Sequence, residues 1–206
     1  MKLYYAPGAC SLAVHIMARE TDIPLDLAKV DLARHRTDTG ADLATVNPKN
    51  VVPALALDNG EVLTEAAIIL QWLAERAGRS DLLPAVGTLE RYRVLEWLNF
   101  VATELHKGFS PWLWHSDTAE ATKKAVHTKL ALRFGFMEER LGTSPYLAGD
   151  DFTVADAYAF TILNWSHMLN VDLGPFPRLR AYLDRIASRP AVREAMQAEG
   201  LLKQAA

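Results

Sequence analysis

Three sets of residues in this chain have the types and settings to do chemistry. The first is Cys10, the only cysteine, which follows Pro7-Gly8 at the end of a strand-like run and opens a helical one. At a helix N-terminus the unpaired N–H groups and the dipole favour a thiolate and lower the thiol pKa from its free value of about 8.5. The competing assignment is a small buried hydrophobe, the usual fate of a free cysteine. Position 13 is alanine, so there is no C-x-x-C pair and dithiol exchange within the chain is excluded. A mixed disulfide with an external thiol remains open to it.

The second set is Val52, Pro53 and Glu65. An acid in the first turn of a helix is ordinary dipole complementarity, and alone it reads as structural. The Val52-Pro53 step gives it weight. Proline opening a strand removes a ladder donor and marks an unusual backbone, although only about one X-Pro bond in twenty is cis. An edge of backbone, a helix N-terminus and an acid in one pocket suit an extended peptide carrying both an ammonium and a carboxylate. The third set is Asn99, Thr103 and His106, whose spacing of four and then three shares one side of a helix. On spacing alone a solvated stripe is the simpler reading. His15, His35, His115, His127 and His167 have no metal-ligand spacing with His106 or with each other, so no metal site is expected. Trp112, Trp114 and Trp165 read as core or subunit contact, with a hydrophobic acceptor pocket as the sharper alternative.

The elements that must position these groups follow from local rules. Lys2 to Ala6 reads as a strand, and Ser11 as the N-cap of a helix reaching about Thr21. A second strand spans about Leu25 to Val30, a polar loop Asp31 to Thr39, and a short helix Ala41 to Val46. Asn59-Gly60 between two apolar runs is a hairpin signal, because both residues tolerate positive φ. Thr64 stands where a helix N-cap belongs, and Ala67, Leu70, Leu73 and Ala74 then recur at helical spacing. This order describes a small α/β domain over residues 1–78. Gly78 to Pro84 has linker character. Residues 88–206 show no convincing strand and read as an all-helical domain. Within it one helix runs from about Thr88 to Trp114, bent or broken at Pro111, and another from Ala119 to Leu141. Thr153-Val154-Ala155-Asp156 is a capping box with Asp in the Glu position, although Phe152 has only Ala157 as a staple partner. Helices over Arg178–Arg189 and Pro190–Glu199 close the chain.

Bulk composition narrows the classes. The chain has 206 residues, half of them hydrophobic, and a formal charge of −3, so it has ample core and no basic stripe for nucleic acid. One cysteine suits a reducing compartment. Pro7, Gly8 and His15 interrupt any apolar signal core, and no run reaches transmembrane length. A cytoplasmic protein with neither nucleic-acid nor membrane partner is the expectation.

KLYYAPGACSL, the Val52-Pro53 loop, LTEAA, ERYRVLEWLNFVATELHKGFSP and DDFTVADAY occur here in that order. Together they resemble the bacterial beta-class glutathione transferases over essentially the whole length. The resemblance implies a thioredoxin-like N-terminal domain, an all-helical C-terminal domain, a homodimer, a cis Pro53, and glutathione as co-substrate with no metal. It implies that Cys10, with Ala9 and Ser11 beside it, lies against the glutathione sulfur. Val52 pairs with the cysteinyl backbone, and Glu65 with the backbone of Ala66 holds the γ-glutamyl end. Asn99, Thr103, Glu104 and His106 complete the site from the helical domain, in part across the dimer. Tyr5 matches a tyrosine that other classes use and is not assigned a role. Two positions depart from the family pattern. His35, flanked by Arg34 and Arg36, stands where a lysine often reaches the glycyl carboxylate. Ala66 stands where many transferases have serine, leaving backbone N–H alone for the γ-glutamyl carboxylate. The expected activity is attack of glutathione thiolate on a small hydrophobic electrophile, with Cys10 as an auxiliary redox group and His106 as a catalytic candidate. The alternatives are a non-catalytic binder of glutathione or hydrophobic ligands and a monothiol disulfide reductase.

Overall fold

A computed structural model describes residues 1–202. Contacts divide the chain into two compact units, Met1–Ser80 together with the segment from Ser188 onward, and Asp81–Ala187.

In the first unit β1 (Lys2–Tyr5), α1 (Ser11–Glu20) and β2 (Asp26–Asp31) form a parallel strand pair with a helical crossover, Lys2 opposite Asp26. After β3 (Arg36–Thr37) and a 3₁₀ turn at Leu43–Thr45 come β4 (Ala54–Ala56), β5 (Val62–Thr64) and α2 (Ala66–Arg76). The sheet order is β3-β2-β1-β4-β5, with β4 antiparallel to β1 and to β5. Helices cover this mixed sheet, as its apolar strands require. Leu3, Leu55, Ile16, Met17, Leu70 and Leu73 are wholly buried.

Four local expectations are corrected. Residues Arg36 and Thr37, read as loop, form an edge strand against Val30 and Asp31. Two polar residues leave no alternation to read. Ser11 is not the N-cap of α1. Cys10 takes that place, and Ser11 turns its Oγ back to Ala6, 3.2 Å from both its N and its O. Asn59-Gly60 does not form a two-residue turn. Leu57 and Glu61 pair across Asp58-Asn59-Gly60, and of the three only Gly60 has positive φ, at 88°. The same dipeptide serves a three-residue loop with glycine in the left-handed place. Thr64 ends β5 instead of capping α2, and Glu65 holds the cap position without a side-chain bond to the helix.

The second unit contains α3 (Leu89–Phe100), a π-helical stretch at Val101–His106, and α4 (Lys107–Phe109). It continues with α5 (Glu120–Arg140), α6 (Val154–Leu163), α7 (Trp165–Met168) and α8 (Pro177–Ala187). No strand occurs in it among the described residues. The helix expected to reach Trp114 stops at Phe109, because Ser110 precedes a proline and adopts extended angles. Every residue of α6 is buried, and its capping box forms as expected. Asp156 Oδ2 accepts from Thr153 N and Oγ1, both at 2.8 Å, while Oδ1 takes Leu147 N and the Tyr182 hydroxyl. Burial raises the Asp156 carboxyl above its ordinary pKa, against these four bonds. Phe152 finds its ring partner in Tyr146, 6.0 Å away.

The last helix, α9 (Pro190–Ala198), packs on α1 within the first unit, although the sequence alone groups it with the helical part. Arg189 grips Glu20 at the end of α1 through two bonds of 2.6 and 2.9 Å.

Candidate active site

In the first unit the turn after β1 delivers Cys10 to the start of α1. Ala9 N–H closes that turn on Ala6 O at 3.0 Å. The thiol is nearly buried and donates to Val52 O at 3.3 Å. Val52 packs with Ala6, Val30 and Leu43, and Ala9 lies against the same cluster. The Val52-Pro53 peptide is cis. Asn47, also buried, fixes the loop before it by donating to Val51 O at 2.7 Å and accepting Lys49 N–H. A sulfur site therefore lies at a helix N-terminus, opposite a backbone edge at Val52.

Glu65 stands apart from the thiol in its bonding. Its backbone has φ 68° and ψ 114°, in a half of the map that non-glycine residues rarely enter. Its carbonyl starts α2 by accepting Ile68 and Ile69 N–H, both at 3.0 Å, and its side chain is exposed. Lys49 Nζ sits 2.6 Å from Glu65 Oε1 and 3.0 Å from Thr64 Oγ1. Lys49 carries no sequence signal, since only the closed loop brings it to residues 64 and 65. Ala66 is buried at the first position of α2. His35 is exposed at φ 53°, and its carbonyl accepts Leu43 N–H. Arg34 turns to Asp31, and Arg36 to Gly40 and Asp42.

In the second unit Asn99 lies in the last turn of α3, and the π-helical stretch holds Thr103, Glu104 and His106. A wider i→i+5 turn inside a helix recurs at functional sites. Asn99 and Thr103 are exposed, with Thr103 Oγ1 bonded to Asn99 O. Glu104 is engaged by Arg133 Nε at 2.7 Å and Lys129 Nζ at 3.3 Å. The Arg133 bond, helped by Lys129, holds its carboxyl below the usual range. His106 Nδ1 meets the Tyr158 hydroxyl at 2.6 Å, and its ring lies edge-on to Trp165 at 5.1 Å. Trp114 in turn meets Trp165 at 5.4 Å. The spacing of 99, 103 and 106 predicted a shared face. Tyr158, which orients the histidine, lies on α6 and was not singled out.

Among the described residues no three His, Cys, Asp or Glu side chains group as metal ligands, and no helix is long and apolar enough to cross a membrane. Burial raises the Tyr5 hydroxyl above its ordinary pKa, with Glu199 and Asp38 adding to it.

Two family profiles match the chain, glutathione S-transferase N-terminal domain over residues 8–76 and C-terminal domain over residues 100–190. Glutathione S-transferase GstA of Escherichia coli O157:H7 is 45% identical over 201 residues, 98% of this chain and 100% of the relative. A sphingomonad glutathione S-transferase, solved in complex with glutathione, superposes with TM-score 0.93 at 44% identity, covering 98% of this chain and 100% of the other. A bacterial beta-class enzyme of Sphingomonas chungbukensis gives the same score, identity and coverage, 0.93, 44%, 98% and 100%. Matched end to end in both halves, the chain belongs to the glutathione S-transferase family and sides with its bacterial beta class.

Proposed function

We propose that the protein conjugates glutathione to small hydrophobic electrophiles. The observation that carries this reading is the 3.3 Å approach of the Cys10 thiol to Val52 O, which sets a sulfur position at a helix N-terminus beside a backbone edge. An extended tripeptide added at Val52 pairs its cysteinyl backbone there and brings its own sulfur to that position. Its ammonium meets the Glu65 carboxylate in place of Lys49, and its γ-glutamyl carboxylate takes the backbone N–H of Ala66 at the start of α2. The glycyl carboxylate falls to His35 or a neighbouring arginine. Asn99, Thr103, Glu104 and His106 are assigned to the same ligand on the family resemblance. The thiolate attacks the electrophilic carbon, a C–S bond forms, and the leaving group departs with its electron pair. The working form is a cytoplasmic homodimer. Tyr92, Leu132 and Phe136 supply exposed apolar area on the helical unit for a second copy.

A second activity rests on Cys10 itself. Its thiolate attacks the sulfur of a glutathionyl disulfide, forms a mixed disulfide, and releases the other thiolate. Cys10→Ala separates the two. Conjugation of an aromatic halide persists and thiol transfer is lost. Loss of conjugation would make Cys10 essential and overturn its auxiliary role. Calorimetry that records no heat with reduced glutathione would overturn the whole reading.

A further inference from the structure

The turn that presents Cys10 is tied to the far end of the chain. Gly8 has φ 71°, a left-handed conformation that glycine alone adopts freely. Its N–H donates to Glu199 Oε2 at 2.9 Å. The other oxygen, Oε1, lies 3.0 Å from His15 Nδ1 on α1. The Glu199 side chain is fully buried and that of His15 is 2% exposed. A buried carboxylate satisfied on both oxygens is expensive to place and strong once placed. Leu201, two residues on, lies 3.5 Å from where a Cβ on Gly8 would sit. One carboxylate thus joins the backbone two residues before Cys10 to the helix that Cys10 caps. None of these groups has a part in the conjugation chemistry above.

We infer that Glu199 is a positioning residue for Cys10, its carboxylate holding the Pro7-Gly8 turn so that the thiol stays buried against Val52 O. With the anchor removed the turn opens locally while the sheet and α1 keep their own contacts. The thiol then leaves its near-buried place and meets solvent. This assignment does not depend on glutathione, so it is tested without it.

Cys10 is the only cysteine, so the rate of alkylation by iodoacetamide, read as added mass on the intact protein, reports this thiol alone. The Glu199→Ala protein is compared with wild type and with Arg189→Ala. Arg189→Ala breaks the Glu20 contact, which fastens the same terminal segment to the other end of α1. Glu199→Ala is expected to raise the rate at least about tenfold, the opening of a turn that has lost one charge-assisted bond. Arg189→Ala lowers thermal stability and leaves the alkylation rate within about twofold of wild type. Glu199→Gln keeps an acceptor for Gly8 N–H and recovers most of the protection. Equal acceleration by Glu199→Ala and Arg189→Ala overturns the assignment, since Glu199 would then only dock the segment. An unchanged rate in Glu199→Ala overturns it as well. Should Glu199→Ala fail to fold, Gly8→Ala perturbs the same turn from the other side through its φ and must give the same acceleration. Glutathione affinity, measured separately on the same proteins, keeps this outcome distinct from failure of the proposed function.

Discussion

Replacing Glu65 by glycine and by alanine should move stability and ligand affinity in different ways. A non-glycine residue at φ 68° stores strain on the order of 1–3 kcal/mol. Alanine keeps that strain. Glycine releases it and costs about 0.5–1 kcal/mol in the entropy of the unfolded chain. The Lys49 pair is lost in both variants. Its side chains are 55% and 62% exposed, so it contributes only about 0–1 kcal/mol and cancels in the comparison. Glycine should therefore exceed alanine by about 1 kcal/mol, or about 2–4 °C in melting temperature for a chain of this size. Both variants lose the partner of the ligand ammonium. A hydrogen bond to a charged group is typically worth about 1.5–3 kcal/mol, so glutathione should bind roughly 10–100-fold more weakly to each. Lys49→Met has the opposite sign, because it removes the cation that occupies the carboxylate before the ligand arrives. Its gain is bounded by the exposed pair, up to about fivefold in affinity. Thermal unfolding and titration calorimetry on the three variants give all four quantities. Equal melting of the glycine and alanine variants would refute the strain argument. Unchanged affinity in both would remove Glu65 from the ligand site.

Three further outcomes are expected. Gly108→Ala should cost about 1–3 kcal/mol in urea unfolding, because the new Cβ would stand 2.9 Å from Leu130 Cδ2 in a wholly buried contact between α4 and α5. Tyr158→Phe removes the hydroxyl at 2.6 Å from His106 Nδ1, and kcat/KM for conjugation should fall about 3–10-fold. Unchanged steady-state kinetics would show that this orientation is idle. Asp156→Asn should destabilise the fold most at acid pH. The folded carboxyl is raised by burial, so its contribution is full below the unfolded value of about 3.9 and is lost as pH rises through the higher folded one. Unfolding midpoints of the two proteins should converge as pH increases. A gap that widens would reverse the sign of the assignment.

What the sequence made legible was whatever a few neighbouring residues decide. Pro7-Gly8 followed by Cys10 marks a turn into a helix from local rules alone, and the Thr153–Asp156 box needs only a four-residue window. Apolar spacing located α2 for the same reason. The misreadings share a cause. Ser11 has the right chemistry for a cap, but the tight turn brings Ala6 within its reach and Cys10 takes the position instead. Asn59-Gly60 fits two loop types, and the register of β4 with β5 selects between them. Nothing near Arg36 announces an edge strand, because β2 supplies its partner groups. The site divides in the same way. Cys10 and Val52 were recognisable as types in a setting. The Lys49–Glu65 pair, the His106–Tyr158 bond and the Glu199 anchor join residues 16, 52 and 191 positions apart, and no local window contains them.

The thiol bond to Val52 orders the chemistry. The 3.3 Å contact sets the Cys10 sulfur on the Val52 carbonyl. Cys10 is nearly buried and held on the carbonyl that an added strand would use as its acceptor. Under the proposed binding mode an arriving backbone N–H shares that carbonyl, which has two lone pairs, as a second sulfur comes up beside the thiol. The burial of Cys10 limits the access of solvent oxidants to the thiol. The two activities then use one geometry. Conjugation needs the ligand sulfur at the helix N-terminus, thiol transfer needs a disulfide sulfur within reach of Cys10, and occupation of the same backbone edge supplies both conditions.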